Sequence, residues 1–384
     1  MQPAQRLATL TESVIRDMTR LALQHEAINL SQGFPDFDPP QPVVEAAAQA
    51  LREGHNQYTI TWGIPPLRAE IAKKYNKWYG MEVDPDTQIT VTCGVSEAII
   101  AALMATVNPG DGVIIIDPSH DNYLPGVTFA GGQPIWVSLR PPTFDLDEAE
   151  LRAAFAQKPR AILLNTPQNP SGRVLSREQL QVIADLCIEH ETIAITDEIY
   201  EHILYDGREH IPLATLPGMA ERTVTISSAG KTFSVTGWKI GWAIAAPDLS
   251  RAIFRAHQFM TFCSAAPLQE GVAVALEASP GYYIEVAQMY QANRNFLAEA
   301  LDGAGLTPIL PAGTYFMMVD ISRLDFPDDR AFCHYLTTEV GVTAIPPSVF
   351  YHDPADGVGL ARFAFCKTRE TLAAAARRLK RLKY

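Results

Sequence analysis

The spacing of apolar positions changes character near residue 89. Before that point it is helical. Val43, Val44, Ala47, Ala50 and Leu51 mark one helix face, and Leu67, Ile71, Lys74, Tyr75 and Trp78 mark a second, with Lys74 as an amphipathic stem on its flank. A mixed amphipathic segment ahead of them predicts a helix over about residues 11–25. From Ile89 onward, short β-rich runs alternate with helix-length segments. The runs 89–93, 113–117, 134–137, 161–165, 193–196, 223–226 and 240–245 read as strands, and 97–107, 148–155 and 177–189 as helices. This alternation predicts an α/β fold with a mostly parallel central sheet covered on both faces, its functional residues in loops at strand ends. Residues 251–276 read as helix broken near Pro267, and 282–301 as a long helix with Tyr283, Val286, Tyr290, Arg294 and Leu297 on one face. Strands at 315–319, 342–345 and 360–365, a helix near 330–339 and a last helix from about 369 predict a second, smaller α+β domain.

Composition narrows the partners. A chain of 384 residues with 47% hydrophobic and 19% charged residues is long enough for a large core and one or two domains. The net charge of -12 argues against nucleic acid or an anionic membrane as a general partner. It leaves room for a local positive pocket. The five cysteines are scattered without a CxxC, and no HxxxH or HxH surrounds His120, so no disulfide scaffold or metal site is expected. Residues 1–20 lack an apolar signal core and no run reaches transmembrane length, so the expected location is cytoplasmic. Basic residues from Arg377 to Lys383 crowd the last helix, where the helix dipole favours them.

The chemistry centres on Ser227-Ser228-Ala229-Gly230-Lys231-Thr232-Phe233-Ser234-Val235-Thr236-Gly237-Trp238-Lys239, between two apolar runs. Small residues around two lysines suit a close-approach loop, where a desolvated lysine can attack a carbonyl. Gly230-Lys231-Thr232 also ends a nucleotide-binding P-loop, but that loop needs glycine where the chain has Thr225. Asp197 ends the run Ile193–Thr196, which puts a carboxylate at a strand end. Asn165-Thr166-Pro167-Gln168-Asn169-Pro170-Ser171-Gly172 makes a rigid loop that can hold an amide in one geometry. Gly94-Val95-Ser96, between a strand and a helix, forms an anion site, with Glu97 at an ordinary first-turn capping position. Arg362 lies inside an alternating apolar strand and must have a carboxylate partner, either a structural acid or a ligand.

These separated motifs, in order from about residue 20 to the end, resemble the fold-type I pyridoxal-phosphate-dependent aminotransferases. The stretches NLSQGFPDFD, GWK and AIPPSVF are most similar to the kynurenine aminotransferase and bacterial methionine aminotransferase branch. The resemblance implies pyridoxal 5'-phosphate as cofactor, a large domain over 41–280, and a small domain made of 1–40 plus 281–384. It makes Lys231 the lysine that bonds the cofactor aldehyde and then moves the substrate α-proton. It sets Asp197 at the pyridine nitrogen, and Tyr200 and Asn169 at the ring 3'-oxygen, with Asn165 holding the loop and Glu198 turned away in a structural or surface role. Val95, Ser96, Ser228 and Lys239 take the phosphate, Lys239 standing where many relatives have arginine. Tyr58 reaches the phosphate of a neighbouring subunit, which implies a homodimer with shared active sites. His120 stands in the place of the aromatic that stacks on the pyridine face, with Tyr123 able to share that task.

For the substrate, the resemblance gives Arg362 to the α-carboxylate, lays the loop containing Gly33 and Phe34 over the ligand with Asn169 beside it, and makes Tyr123 and a partner subunit's Phe262 candidate pocket walls. The second arginine of dicarboxylate-specific relatives is missing from 259–263. The expected reaction is therefore transfer of the amino group of methionine, phenylalanine, tyrosine or kynurenine to a 2-oxo acid. A cysteine-S-conjugate β-lyase or kynurenine–oxoglutarate transaminase is the nearest alternative. No GxGxxG supports a nicotinamide dehydrogenase, and no segment offers the DNA-binding domain of a regulator.

Overall fold

In chain order the strands are β1 (Ile28–Asn29), β2 (Ile89–Thr92), β3 (Gly112–Asp117), β4 (Gln133–Ser138), β5 (Ala161–Asn165), β6 (Ile193–Asp197), β7 (Thr223–Ser228), β8 (Gly241–Ile244), β9 (Thr307–Ile309), β10 (Phe316–Asp320), β11 (Val342–Thr343) and β12 (Leu360–Ala364). They come from a computed structural model, which describes residues 4–7 and 12–382. Thr11, the first residue of the predicted N-terminal helix, and Lys383 lie outside the described residues.

Seven strands form one sheet in the order β2-β8-β7-β6-β5-β3-β4, and only β8 runs antiparallel to its neighbours. Every residue of β5, β6, β7 and β8 is buried. A sheet covered on both faces explains why these strands read as continuous apolar runs rather than alternating ones. Register sets the carboxyl ends side by side: Asn165 of β5 pairs with Asp197 of β6, and Asp197 with Ile226 of β7.

The helices begin where their termini are satisfied. The first is α1 (Val14–Gln24), and α2 (Gln41–Arg52) and α3 (Pro65–Tyr79) follow, each of the latter two with proline in its first turn. After β2 comes α4 (Gly94–Thr106), and after β3 comes α5 (Tyr123–Ala130), which the sequence pattern does not announce. An Asp147 cap opens α6 (Glu148–Phe155), and a Ser176–Gln179 capping box opens α7 (Arg177–Glu189). The expected break near Pro267 separates α8 (Pro247–Met260) from α9 (Ala266–Leu276). The long helix α10 runs Pro280–Asp302.

Two expectations for the early helices need correction. Val44 and Leu51 are 38% and 52% exposed, because α2 buries the adjacent stripe Val43, Ala47 and Ala50 against α9. Gly271 allows that approach, since a Cβ there would sit 3.0 Å from the Ala47 methyl. Lys74 is not a flanking stem: it is buried and pairs with Glu201 at 2.7 Å.

The second sheet is antiparallel, β12-β10-β9. Around it pack α10, α11 (Asp329–Tyr335, continued by a π turn over Leu336–Val340) and α12 (Arg369–Leu379). The N-terminal β1 pairs in parallel with β11, Ile28 opposite Val342, which stitches the chain's start to its last third. Among the described residues no helix is long and apolar enough to cross a membrane.

Candidate active site

The carboxyl ends of β5, β6 and β7, the start of α4 and the inner face of β12 surround a cavity of about 300 Å³. Lys231 enters it from the loop after β7. Its Nζ donates to the Gly33 carbonyl at 3.3 Å and lies 5.7 and 5.5 Å from the ring centres of Tyr200 and Tyr315. Burial pulls the amine down to about 8.

Asp197 faces Lys231 from the end of β6. Its Oδ2 accepts the Tyr123 hydroxyl at 2.8 Å and its Oδ1 accepts the Ile199 N–H at 3.3 Å. Burial pushes this carboxyl up, while the Tyr123 hydrogen bond and nearby His120 and Lys231 act against that. Tyr123 is therefore not a cavity wall. Its ring is 2% exposed behind Asp197, because α5 presents it to the core. Tyr200 lines the cavity, and burial holds its phenol protonated, so it can donate a hydrogen bond. Asn165 ties the neighbouring loop down: its Nδ2 donates to the Asp197 carbonyl and its Oδ1 accepts the Asn169 N–H, both at 2.7 Å. Glu198 points to the other side of the sheet, fully buried against His210 at 2.7 Å.

The opposite end of the cavity is a cradle of donors. Gly94, Val95 and Ser96 open α4, so their N–H groups have no partner within the helix. Ser228, Lys231 and Lys239 approach from the lysine loop. Gly94 has φ +78, and a Cβ there would come within 3.0 Å of Lys239 Nζ. Glycine is thus required both by conformation and by the close approach of the lysine. Lys239 itself adopts a left-handed φ of 55, the turn that aims its side chain back over the start of α4. His120 shares the cavity wall, its Nδ1 accepting the Asn122 N–H at 3.3 Å, and burial keeps the ring toward the neutral form.

Arg362 closes the third side from β12. Its Nη1 donates to Asn169 Oδ1 at 3.0 Å and its Nη2 to the Ser31 carbonyl at 2.9 Å. The guanidinium lies 4.2 Å from the Phe316 ring centre and 4.8 Å from that of Phe350, a sandwich that fixes its plane. It is 1% exposed, its Nε is unpartnered, and among the described residues no carboxylate pairs with it. Of the two partners the strand pattern allowed, a structural acid or a ligand, the first is not there.

Gly33 and Phe34 line the cavity as expected, and a Cβ at Gly33 would strike the Phe316 ring. Tyr58 and Phe262 do not line it. They pack edge-on at 5.2 Å on the surface, 83% and 43% exposed, and Phe259, three positions before Phe262, is 85% exposed. The sequence reading missed Tyr315 and Phe316, which hold the Gly33 carbonyl (Tyr315 hydroxyl, 2.6 Å) and the Arg362 plane. Their signal was an aromatic pair directly after Pro311-Ala312-Gly313-Thr314, where a strand enters the site.

Beneath Tyr200, Glu201 binds Lys74, the Tyr79 hydroxyl at 2.6 Å and the Ser227 hydroxyl at 2.5 Å. Burial opposes its charge, but Lys74 and the neighbouring histidines outweigh it and hold the carboxyl at about 2. Lys74→Met should strand this carboxylate and cost roughly 3–5 kcal/mol of stability. Urea unfolding of Lys74→Met and of Lys74→Met/Glu201→Gln checks it: the double variant should recover much of the loss.

Comparisons with known proteins span nearly the whole chain. The aminotransferase class I and II family profile matches residues 25–379. A methionine aminotransferase of Escherichia coli is 41% identical over 99% of this chain and 98% of its own length. A kynurenine–oxoglutarate transaminase of Dictyostelium discoideum is 40% identical over 100% and 97%. The solved structure of an E. coli methionine aminotransferase superposes with a TM-score of 0.96, covering 100% of both chains at 41% identity. That of an N-succinyldiaminopimelate aminotransferase from Mycobacterium tuberculosis gives the same score, coverage and identity. The likeness covers nearly the whole chain, and on it the chain belongs to the class I and II aminotransferase family.

Proposed function

We propose that this aminotransferase uses pyridoxal 5'-phosphate and takes an apolar, sulfur-containing or aromatic L-amino acid, methionine first, as amino donor to a 2-oxo acid. The observation that carries the reading is the set of unpaired charges in one cavity. Lys231, Asp197 and Arg362 all line it, and among the described residues none of them has an ion-pair partner. The donor set fits the cofactor. The α4 N-terminus with Ser96, Ser228 and Lys239 suits a phosphate, and Asp197 suits a protonated ring nitrogen. Tyr200 and the Asn169 Nδ2 suit the ring oxygen, since Asn169 Oδ1 is already taken by Arg362. His120, on the cavity wall, would cover one face of the ring. When bound, the cofactor supplies the electron sink and carries the amino group. The protein's part is to orient the substrate carboxylate on Arg362, hold a proton between Asp197 and the ring nitrogen, and move the α-proton with Lys231 Nζ.

Relatives acting on methionine, kynurenine and N-succinyldiaminopimelate stand at nearly equal identity, so the choice of substrate rests on the cavity. Among the described residues Arg362 is the one arginine that lines it, beside Ile15 and Phe34. That favours an apolar side chain over one ending in a second carboxylate. The exposed Tyr58–Phe262 pair, with Phe259, is the patch we assign to a homodimer interface, each protomer lending Tyr58 and Phe262 to its partner's site. We assign 41–280 to a large domain around the seven-stranded sheet and 1–40 plus 281–384 to a small one around the three-stranded sheet. Five free cysteines suit the cytoplasm.

The test is the visible spectrum of the purified protein before and after adding methionine without an acceptor. A bound-cofactor band that moves to the pyridoxamine form supports the reading. A band that methionine leaves in place, but kynurenine shifts, would replace methionine with the kynurenine reading. Pyruvate and ammonia released from a cysteine conjugate, without any oxo acid, would favour the β-lyase.

A further inference from the structure

A carboxylate lies in the first turn of the helix that faces the cradle. Glu97 is 6% exposed, and its Oε2 accepts the Cys93 N–H at 2.5 Å, which fixes the turn leading into Gly94-Val95-Ser96. An unbalanced buried carboxylate there would repel a phosphate, which carries about 1.5 to 2 negative charges near neutral pH. The chain answers with His257 of α8, which has no exposed surface. Its Nδ1 meets Glu97 Oε1 at 2.7 Å and its Nε2 meets the Thr61 carbonyl at 3.1 Å. The Thr261 hydroxyl gives its own hydrogen to Glu97 Oε1 at 2.6 Å. Both ring nitrogens therefore face acceptors. An imidazolium's two N–H groups satisfy both contacts, and the Thr261 hydroxyl oxygen is a further neighbour of Nδ1 at 3.2 Å.

We propose that Glu97 and His257 are a charge-balanced pair that sets the phosphate affinity of the cradle. Glu97 positions the α4 turn, and the His257 cation cancels the carboxylate's repulsion of the ligand. The same imidazolium holds the Thr61 carbonyl, three residues beyond Tyr58, so the turn and the 57–63 loop share one anchor. Both residues act through the turn and touch no reacting atom. The inference rests on the cofactor reading above, but on its phosphate end alone.

The test titrates cofactor-free protein with pyridoxal phosphate and with pyridoxal, which has the same ring without the phosphate. His257→Asn should weaken pyridoxal phosphate at least tenfold and change pyridoxal less than twofold. Glu97→Gln/His257→Asn, neutral at both positions, should regain most of that loss. Thr261→Val removes a hydrogen bond to Glu97 but no charge, and should leave the ratio of the two affinities within twofold. Equal weakening of both ligands by His257→Asn, or no recovery in the double variant, would overturn the pair. Should His257→Asn fail to fold, His257→Gln carries the same expectations. Inorganic phosphate gives a readout independent of the cofactor. It should raise the Tm of the wild type and of the double variant, but much less that of the single His257→Asn and His257→Gln variants. A wild type that binds phosphate but no pyridoxal phosphate would sink the functional reading and leave this test of the pair intact.

Discussion

Lys231→Ala should lower kcat by roughly 10³- to 10⁴-fold, the range expected when a positioned proton-transfer group is lost. The cavity offers no substitute. Lys239, the other lysine on its wall, is drawn toward Gly94 at the cradle. Lys231→Arg should fail equally, because an arginine stays charged and has no amine to share a proton. Cofactor retention is expected to suffer less than turnover, since the cradle and Asp197 remain. A Lys231→Ala protein that keeps a tenth of wild-type kcat would remove the assignment.

The same lysine gives a pH dependence with a definite sign. Burial disfavours the ammonium and lowers its pKa to about 8. At pH 7 roughly a tenth of the amine is then neutral, against roughly 0.03% for an unshifted lysine near 10.5. Cofactor-free protein should capture the aldehyde cofactor with a rate that rises tenfold per pH unit and levels off near pH 8. A rise that continues to pH 10 would show that the surroundings do not desolvate the amine. Stopped-flow absorbance at a series of pH values decides between the two.

Most of the scaffold was legible because parallel strands and their helices write themselves as local patterns. The runs at 161–165, 148–155 and 177–189 match β5, α6 and α7 end to end. What sequence hid was set by packing between distant segments. Lys74 looks like any lysine on a helix flank, and its partner Glu201 is more than a hundred positions away. Tyr123 looks like a pocket aromatic, but the hydroxyl that commits it to Asp197 is visible only once the fold brings the first residue of α5 to the end of β6. Val44 misled by one position on the helical wheel, because the neighbour that α2 buries against is fixed by α9. In the site, Lys231, Asp197, Asn169 and Arg362 were found through separate motifs, and the fold brings all four to one cavity. Tyr315 and Phe316 escaped, since holding a carbonyl and a guanidinium plane needs no recognisable motif.

Arg362→Ala should lower kcat/KM for the amino donor by roughly 10²- to 10³-fold, the effect of removing one partner of a buried, hydrogen-bonded charge pair. The loss should fall mainly on KM, because the guanidinium grips a carboxylate present in substrate and transition state alike. Arg362→Lys should recover little. A lysine keeps the charge, but it cannot hold Asn169 Oδ1 and the Ser31 carbonyl while offering a flat fork between Phe316 and Phe350. Cofactor affinity is the internal control. Asn169 loses a partner in Arg362→Ala but keeps its backbone tie to Asn165, so the ring side of the cavity stays in place. Cofactor binding should therefore change only a few-fold. If cofactor and substrate weaken together, Arg362 is a structural arginine serving the Asn169 loop, and the substrate carboxylate must bind elsewhere. If substrate alone weakens, the buried cation without a protein counter-ion is explained by the ligand that supplies one.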